Sequence, residues 1–566
     1  MDREKFFGAI AAALMLIGAI LFLARTATPA EEPSREIAGD GTAAAVKQVE
    51  LLATEADAVV WAMTALVGYP EEARPFVRFV WLPPYADPEW IGVVDFAMNA
   101  ACSHTRVLVR GDRHAGGWLL GYDLRKFAPG AELAQLVATW DGLAVDESRF
   151  HVPQVNTTAG ENGTAPAALL APHLQEALAK HTSDAEKDQR VDVLVTQLTS
   201  STGGIYPADW LVEQLLTSLR GRYPEFRQMP GFGSAETSSA AKSETGTPFQ
   251  KLLARRGFFF EASRDVSGDK GALLLISGVT GKSRIVMTTY GLASRQPMAV
   301  TFDFRDSRIR PDQQFIRNLI TFDALADAKE AFLPLPNGLI EYVLADAAGN
   351  LQRSAPPDVV CDATKPDGYT KELEMGMSCV ICHGPQDGYR TARNDMELLL
   401  GSDLDFFGDA VSYTTMAGVE KSLTRQEAVA IVAGRYGERI DEFDGVLGRA
   451  RRDFIKAVAA LTGYVGKADG ETAVQRLGLK LKEIYHGYRY RAIDAERACL
   501  ELGVRVPAEA GLATLRKLVP PPAAGEPEDV VIGLLRNGAV IKRDDFAAVY
   551  VEMARRAKRQ ELGAGS

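Results

Sequence analysis

The chain is poor in cysteine and histidine, with five and seven among 566 residues. That scarcity excludes a disulfide-stapled scaffold, which needs dense cysteines, and a zinc domain, which needs a second Cys or His pair at ligand spacing. It also lacks an excess of positive charge: 63 Lys and Arg stand against 74 Asp and Glu, giving a formal net charge of −11 and a pI of about 5.4. Phosphate binding depends on clustered Lys and Arg, so a nucleic-acid partner is excluded. Beyond residue 24 there is no second long apolar run, so any membrane crossing is a single pass. No ordered Ser/His/Asp set and no metalloprotease signature is present. Gly278-Val279-Thr280-Gly281-Lys282-Ser283 ends like a phosphate loop, but that loop needs glycine at position 276, where Ile276 stands. The segment reads instead as a hairpin turn.

Against that background, two of the five cysteines stand three positions apart with a histidine directly after them, in Met377-Ser378-Cys379-Val380-Ile381-Cys382-His383. Cys-x-x-Cys-His is the attachment sequence of a c-type haem. Thiols at this spacing add to the two vinyl groups of one porphyrin, and the imidazole of His383 then ligates the iron. A shuffled chain of this composition contains the pattern roughly once in two thousand. A thioredoxin-like dithiol needs a strand-loop-helix setting, and Glu374-Met375-Gly376-Met377 gives no strand. A disulfide between Cys379 and Cys382 would close a tight, strained loop. The expectation is one covalent haem c held by Cys379, Cys382 and His383. Of Cys102, Cys361 and Cys499, two could pair in an oxidising compartment, and the odd number leaves at least one thiol free.

Haem c attachment takes place outside the cytoplasm, so the chain is expected to be exported. Phe6 to Ala24 is a run of nineteen uncharged, mostly apolar residues, preceded by Arg3 and Lys5 and followed by Arg25. Its length approaches the roughly 20 residues that span a bilayer, which favours an uncleaved anchor over a signal cleaved after Ala30. Asp2 and Glu4 offset Arg3 and Lys5, so the haem itself sets the orientation. The expected location is the inner membrane, with residues 6–24 in the lipid bilayer and the bulk of the chain in the periplasm or cell exterior.

The expected fold class is multidomain α+β: an N-terminal membrane anchor, mixed α/β and β-rich domains, then a mostly α-helical cytochrome c-type domain. Residues 1–25 are the anchor or signal and 26–46 an Ala/Pro/Glu/Gly-rich tether. An α+β domain is expected over 47–185, with apolar runs at 77–82 and 106–110. A β-rich α+β domain follows over 186–365, interrupted by the small-residue stretch 231–247. Its strands are expected at 271–277, 284–290 and 298–304, with a hairpin turn at Asp346-Ala347-Ala348-Gly349-Asn350 between 338–345 and 351–360. The haem domain is expected over 366–465. Thr424-Arg425-Gln426-Glu427 reads as a capping box opening a periodic run to Leu461, broken near Tyr436-Gly437 and Asp444-Gly445. A helical C-terminal region, 466–566, contains a Pro-rich linker at 520–529.

These features resemble a family of large exported bacterial proteins that carry one cytochrome c-type domain late in the sequence. The resemblance rests on Tyr206-Pro207-Ala208-Asp209-Trp210-Leu211, on Leu335-Pro336-Asn337-Gly338-Leu339 with Tyr342, on 346–350, on Ala355-Pro356, on Gly376 to His383, and on Ile541 to Phe546. It covers about residues 200–550, and it implies a haem-binding, electron-transfer protein. Cys361 departs from its pattern.

A six-coordinate electron carrier needs a second axial ligand, normally Met or His. Met416, 33 residues after His383, is the candidate, with Met396 and His486 as rivals. Met396 is expected on an apolar helix and His486 in a surface turn at 485–488, while Met375 and Met377 lie too near the attachment site to reach over the ring. The leading reading is a membrane-anchored, single-haem cytochrome c serving a redox partner protein in the periplasm. Two rivals stay open: an oxidoreductase with a substrate site in the N-terminal half, and a surface interaction or assembly protein with an accessory haem.

Overall fold

The computed structural model describes residues 50–51, 205–232, 246–256, 271–276, 283–290, 297–303, 326–384, 387–388, 409–414, 440–465 and 472–523, and most of 58–146, 419–430 and 525–557. The anchor, the tether, residues 147–204, Met396, Met416 and the breaker at 436–437 lie outside them. Among the described residues no helix is long and apolar enough to cross a membrane. The architecture is mixed α/β with several small sheets.

Val77–Trp81 (β1) is a run of β-branched and aromatic residues with one arginine, all five buried, as a central strand requires. It pairs antiparallel with Leu119–Asp123 (β3) and parallel with Ile205–Pro207 (β4), while Asp112–His114 (β2) forms the edge against β3. The apolar run 106–110 is irregular backbone leading into β2. Trp90–Cys102 (α1) is buried at twelve of its thirteen residues, which marks a helix enclosed on every side. It packs against Ala208–Leu216 (α3, after Gly130–Asp146, α2) and against Ile440–Thr462 (α6).

The second sheet is a six-stranded antiparallel meander. Gly271–Ile276 (β5), Ser283–Tyr290 (β6), Pro297–Asp303 (β7), Ala328–Pro334 (β8), Ile340–Asp346 (β9) and Leu351–Gln352 (β10) pair in chain order. The expected strands and the Asp346–Asn350 turn are present: Asp346 accepts from the Asn350 backbone N–H, and Leu344 stands opposite Gln352. The last strand is shorter than expected. Ser354–Ala355 (β11) leaves the meander to pair with Leu373–Glu374 (β12).

After β12 come Met377–His383 (α5), a hairpin of Ala410–Thr414 (β13) and Glu420–Thr424 (β14), α6, and Ala473–Arg489 (α7). The hairpin is a β element in a region expected to be mostly helical. The Thr424/Glu427 capping box is formed. Asp444-Gly445 is no breaker, because both lie within the 23-residue α6, where the helix glycine's cost of about 1 kcal/mol is outweighed by burial of Leu447, Ala450, Phe454, Val458 and Leu461.

One hydrophobic core runs from Val80 to Tyr488 and takes residues from both sheets and from α1, α3, α5, α6 and α7. A separate core of residues 493–553 is formed by Ala495–Glu501 (α8), Gly511–Leu518 (α9), Val530–Arg536 (α10) and Arg543–Arg556 (α11). It is tied to the rest by Tyr85, whose hydroxyl reaches Asp209 at 2.7 Å and Glu501 at 3.3 Å, and by Arg489, which donates to Asp544 at 2.7 Å. Glu50–Leu51 adds a two-residue ladder to Val504–Arg505.

Within the larger core the carboxylate of Glu341 on β9 is fully buried between Arg227 at 3.3 Å and Arg256 at 2.8 Å. Burial pushes its pKa up, but the two guanidiniums pull harder and leave it near 2. Removing the carboxylate strands two cations, one itself only 1% exposed. Glu341→Ala is therefore expected to cost about 3–5 kcal/mol, read as a fall in the urea midpoint. A shift under 1 kcal/mol would show that water reaches the pair.

Candidate functional site

The haem-attachment motif occupies α5, a helix of seven residues. The turn before it is built on Gly376, whose φ of +94° favours glycine. A Cβ there would lie 2.3 Å from the Leu216 carbonyl oxygen at the end of α3, so no larger residue fits. The strand absent from the sequence expectation exists: Leu373–Glu374 leads through Met375-Gly376 into α5. Two residues of strand carry too little pattern to read from sequence.

Cys379 and Cys382 lie about one turn apart, and His383 follows at the helix end. Cys379 is fully buried, and its thiol donates to Glu330 Oε1 on β8 at 3.3 Å. Burial pushes the Cys379 thiol well above its ordinary value, with the Glu330 charge adding to the shift. The Cys382 thiol is pushed up to about 12 by burial, then by Asp362, Glu330 and the neighbouring Cys361. Both are held as thiols, unlike the low-pKa thiolates of disulfide-exchange and nucleophilic sites. A short strand-turn-helix is therefore present without the electrostatics of a redox dithiol.

His383 is half-buried against a cross-strand aromatic pair. Its ring lies 4.5 Å from Phe332 on β8, edge-on, and 6.1 Å from Tyr342 on β9, and those two residues face each other in the ladder. On the other side α5 packs on α7, where a Cβ on Gly384 would come within 3.3 Å of the Gly478 Cα. Ser378 fixes the helix start: its hydroxyl donates to Asp362 Oδ2 at 2.6 Å and accepts the Glu374 N–H at 3.1 Å. Ser378 and Cys382 are four residues apart and share a helix face. The Asp362 contact thus brings Cys361 beside Cys382.

All five cysteines are free thiols, so none of the disulfides left open by the sequence is formed. Cys102 is buried in α1 and Cys499 in the C-terminal core. Met375 and Met377 are core residues, the former accepting the Leu344 N–H on its sulfur at 3.4 Å. His486 is not in a surface turn: it lies in α7, half-buried between Tyr485 and Tyr490, at ring distances of 5.9 and 5.2 Å. Among the described residues its buried Nε2 has no hydrogen-bond partner, and burial lowers its pKa.

Among the described residues no three His, Cys, Asp or Glu side chains converge to hold a metal ion. The donor set is two thiols and one imidazole in five consecutive residues, which fits a haem bound by two thioethers and one axial nitrogen. Cys382 and His383 are partly exposed, whereas a thioether at Cys379 would replace its hydrogen bond to Glu330. Glu330, Phe332 and Asp362 carry no local sequence signal, because they reach the motif only through the meander and the β11–β12 ladder. Tyr342 and Ala355, from segments behind the family resemblance, lie in these same elements. No protein family, curated protein or solved structure matches the chain.

A buried carboxylate pair lies behind α5. Glu374 accepts from the Tyr485 hydroxyl at 3.1 Å, and burial raises its pKa. Glu213 on α3 is pushed up to about 7 by burial, with Arg489 opposing and Glu374 reinforcing. Between its ordinary 4.5 and about 7 the folded state keeps a proton that the unfolded chain has released. Stability is therefore expected to fall as pH rises through that window, with the full penalty, on the order of 3 kcal/mol, present above 7. Glu213→Gln should remove most of this slope in urea titrations at pH 5 and pH 8, and an unchanged slope would place the proton elsewhere.

Proposed function

We propose that the chain is a membrane-anchored, single-haem c-type cytochrome of the periplasm that passes electrons to or from a redox partner protein. One observation carries the reading: Cys379, Cys382 and His383 stand together on one short helix, an arrangement whose chance occurrence in sequence is rare. Bound haem supplies reversible one-electron chemistry at its iron.

In this reading Cys379 and Cys382 would hold the haem through two thioethers, and His383, its ring packed against Phe332 and Tyr342, would ligate the iron. Met416 is proposed as the second axial ligand, and residues 6–24 anchor the chain in the inner membrane. Family membership is proposed from the ordered segments at 206–211, 335–342, 346–350, 355–356, 376–383 and 541–546, of which the haem motif is the most specific. The distal ligand and the low dielectric of the surrounding core would set the potential.

Expressed in a host that matures c-type cytochromes, the wild-type chain should keep its haem through a denaturing gel and give a haem-linked peroxidase stain. The Cys379→Ala/Cys382→Ala variant should give an unstained band at the same position. Absence of stain in the wild type would overturn the reading. Met416→Ala should remove the weak red absorption of sulfur-to-iron charge transfer and open the ferrous iron to carbon monoxide, and an unchanged spectrum would transfer the assignment to His486.

A further inference from the structure

We propose a second site, independent of the haem motif, that binds a small molecule carrying at least two negative charges on carboxylate or phosphate oxygens. It is the cleft of about 340 Å³ between the start of α1, the strand β2 with the loop before it, the end of α6 with Gly463 and Tyr464, and Arg476 of α7. That volume is at the lower end for small-ligand sites. Three arginines from distant parts of the chain line it: Arg110 and Arg113 beside and in β2, and Arg476 from α7.

The charge balance of the lining is opposite to that of the chain. Three guanidiniums face one lining carboxylate, Glu89, in a protein of net charge −11. Glu89 is engaged at one oxygen: Arg476 donates to its Oε1, while its Oε2 lies 3.9 Å from Lys480 and has no hydrogen-bond partner among the described residues. The other nearby carboxylates are directed elsewhere. Asp95 accepts the Tyr122 hydroxyl at 2.6 Å and the Gly111 N–H at 2.8 Å, and burial raises its pKa to about 6. Asp112 accepts the Tyr69 hydroxyl at 2.9 Å and faces Lys126.

The C-terminus of α6, whose dipole would repel an anion, is blunted: the Ala459 carbonyl accepts from Gly463, the Val458 carbonyl from the Thr462 hydroxyl, and the Ala460 carbonyl from Arg110. Arg113 is exposed and has no hydrogen bond or ion pair among the described residues. Arg476 is oriented by its own contacts, lying 4.8 Å over the Tyr464 ring, whose hydroxyl is fixed on the Glu89 carbonyl. Planar forks placed this way match the paired oxygens of carboxylates and phosphates. With Arg476 already paired to Glu89, Arg110 and Arg113 are the lining charges left for an anion.

The test uses the full-length protein, with pyrophosphate and citrate as separate probes at constant ionic strength and chloride as the control. Saturable binding of at least one, with a matching rise in melting temperature, is expected. Binding of pyrophosphate alone assigns a phosphorylated ligand, and binding of citrate alone assigns a polycarboxylate. Arg113→Glu, at an exposed position, should leave the unliganded melting temperature in place and weaken binding at least tenfold, and Arg110→Ala should weaken it in the same direction. Saturation by neither probe, or binding indifferent to both variants, would overturn the proposal.

Discussion

The helix Met377–His383 is fixed from every direction, and the rest of the described structure is arranged round that constraint. Its entry turn is closed by the Leu216 carbonyl against Gly376, its first turn is tied to Asp362 through Ser378, and its middle is sealed by Cys379 on Glu330. Its exit runs past Gly478 of α7, with His383 against Phe332 and Tyr342. These partners come from α3, the meander, the β11–β12 ladder and α7, so the motif cannot shift without moving all of them. Because interiors are close-packed, a cofactor held here would be oriented by all of these elements together.

The same packing makes the interior unusually charged. Glu341 sits between two arginines, Glu501 between Arg497 and Arg543, and Glu213 beside Glu374. The first two carboxylates are held ionised by their partners, whereas burial dominates for Glu213 and Glu374 and favours the protonated form. The interior thus contains both charge that is fixed and charge that can be neutralised. The second kind lies directly behind the helix Met377–His383, through Tyr485 and Glu374.

What the sequence made legible was local. The meander strands followed from β-branched and apolar runs, the Asp346–Asn350 turn from its own side chains, and the Thr424 cap from a four-residue pattern. The Cys379-x-x-Cys382-His383 motif is likewise complete within five residues. What escaped depends on distant partners. The two-residue strand Leu373–Glu374 exists only because Ser354–Ala355 lies beside it. His486 looked like part of a turn because glycine and tyrosines surround it, yet the burial of Leu477, Leu481, Ile484, Tyr485 and Tyr488 at helical spacing carries α7 through it. Gly445 is absorbed into α6 for the same reason. Glu330 and Phe332, and the three arginines of the cleft, meet their neighbours only after the chain has folded.

The central claim is that two cysteines of five are consumed by one haem, and intact-mass measurement combined with thiol counting tests it most directly. In protein matured in a competent host, denatured and treated with an alkylating reagent, the account predicts a mass raised by one haem and three alkylated thiols, at Cys102, Cys361 and Cys499. Five alkylated thiols and no added mass would contradict it.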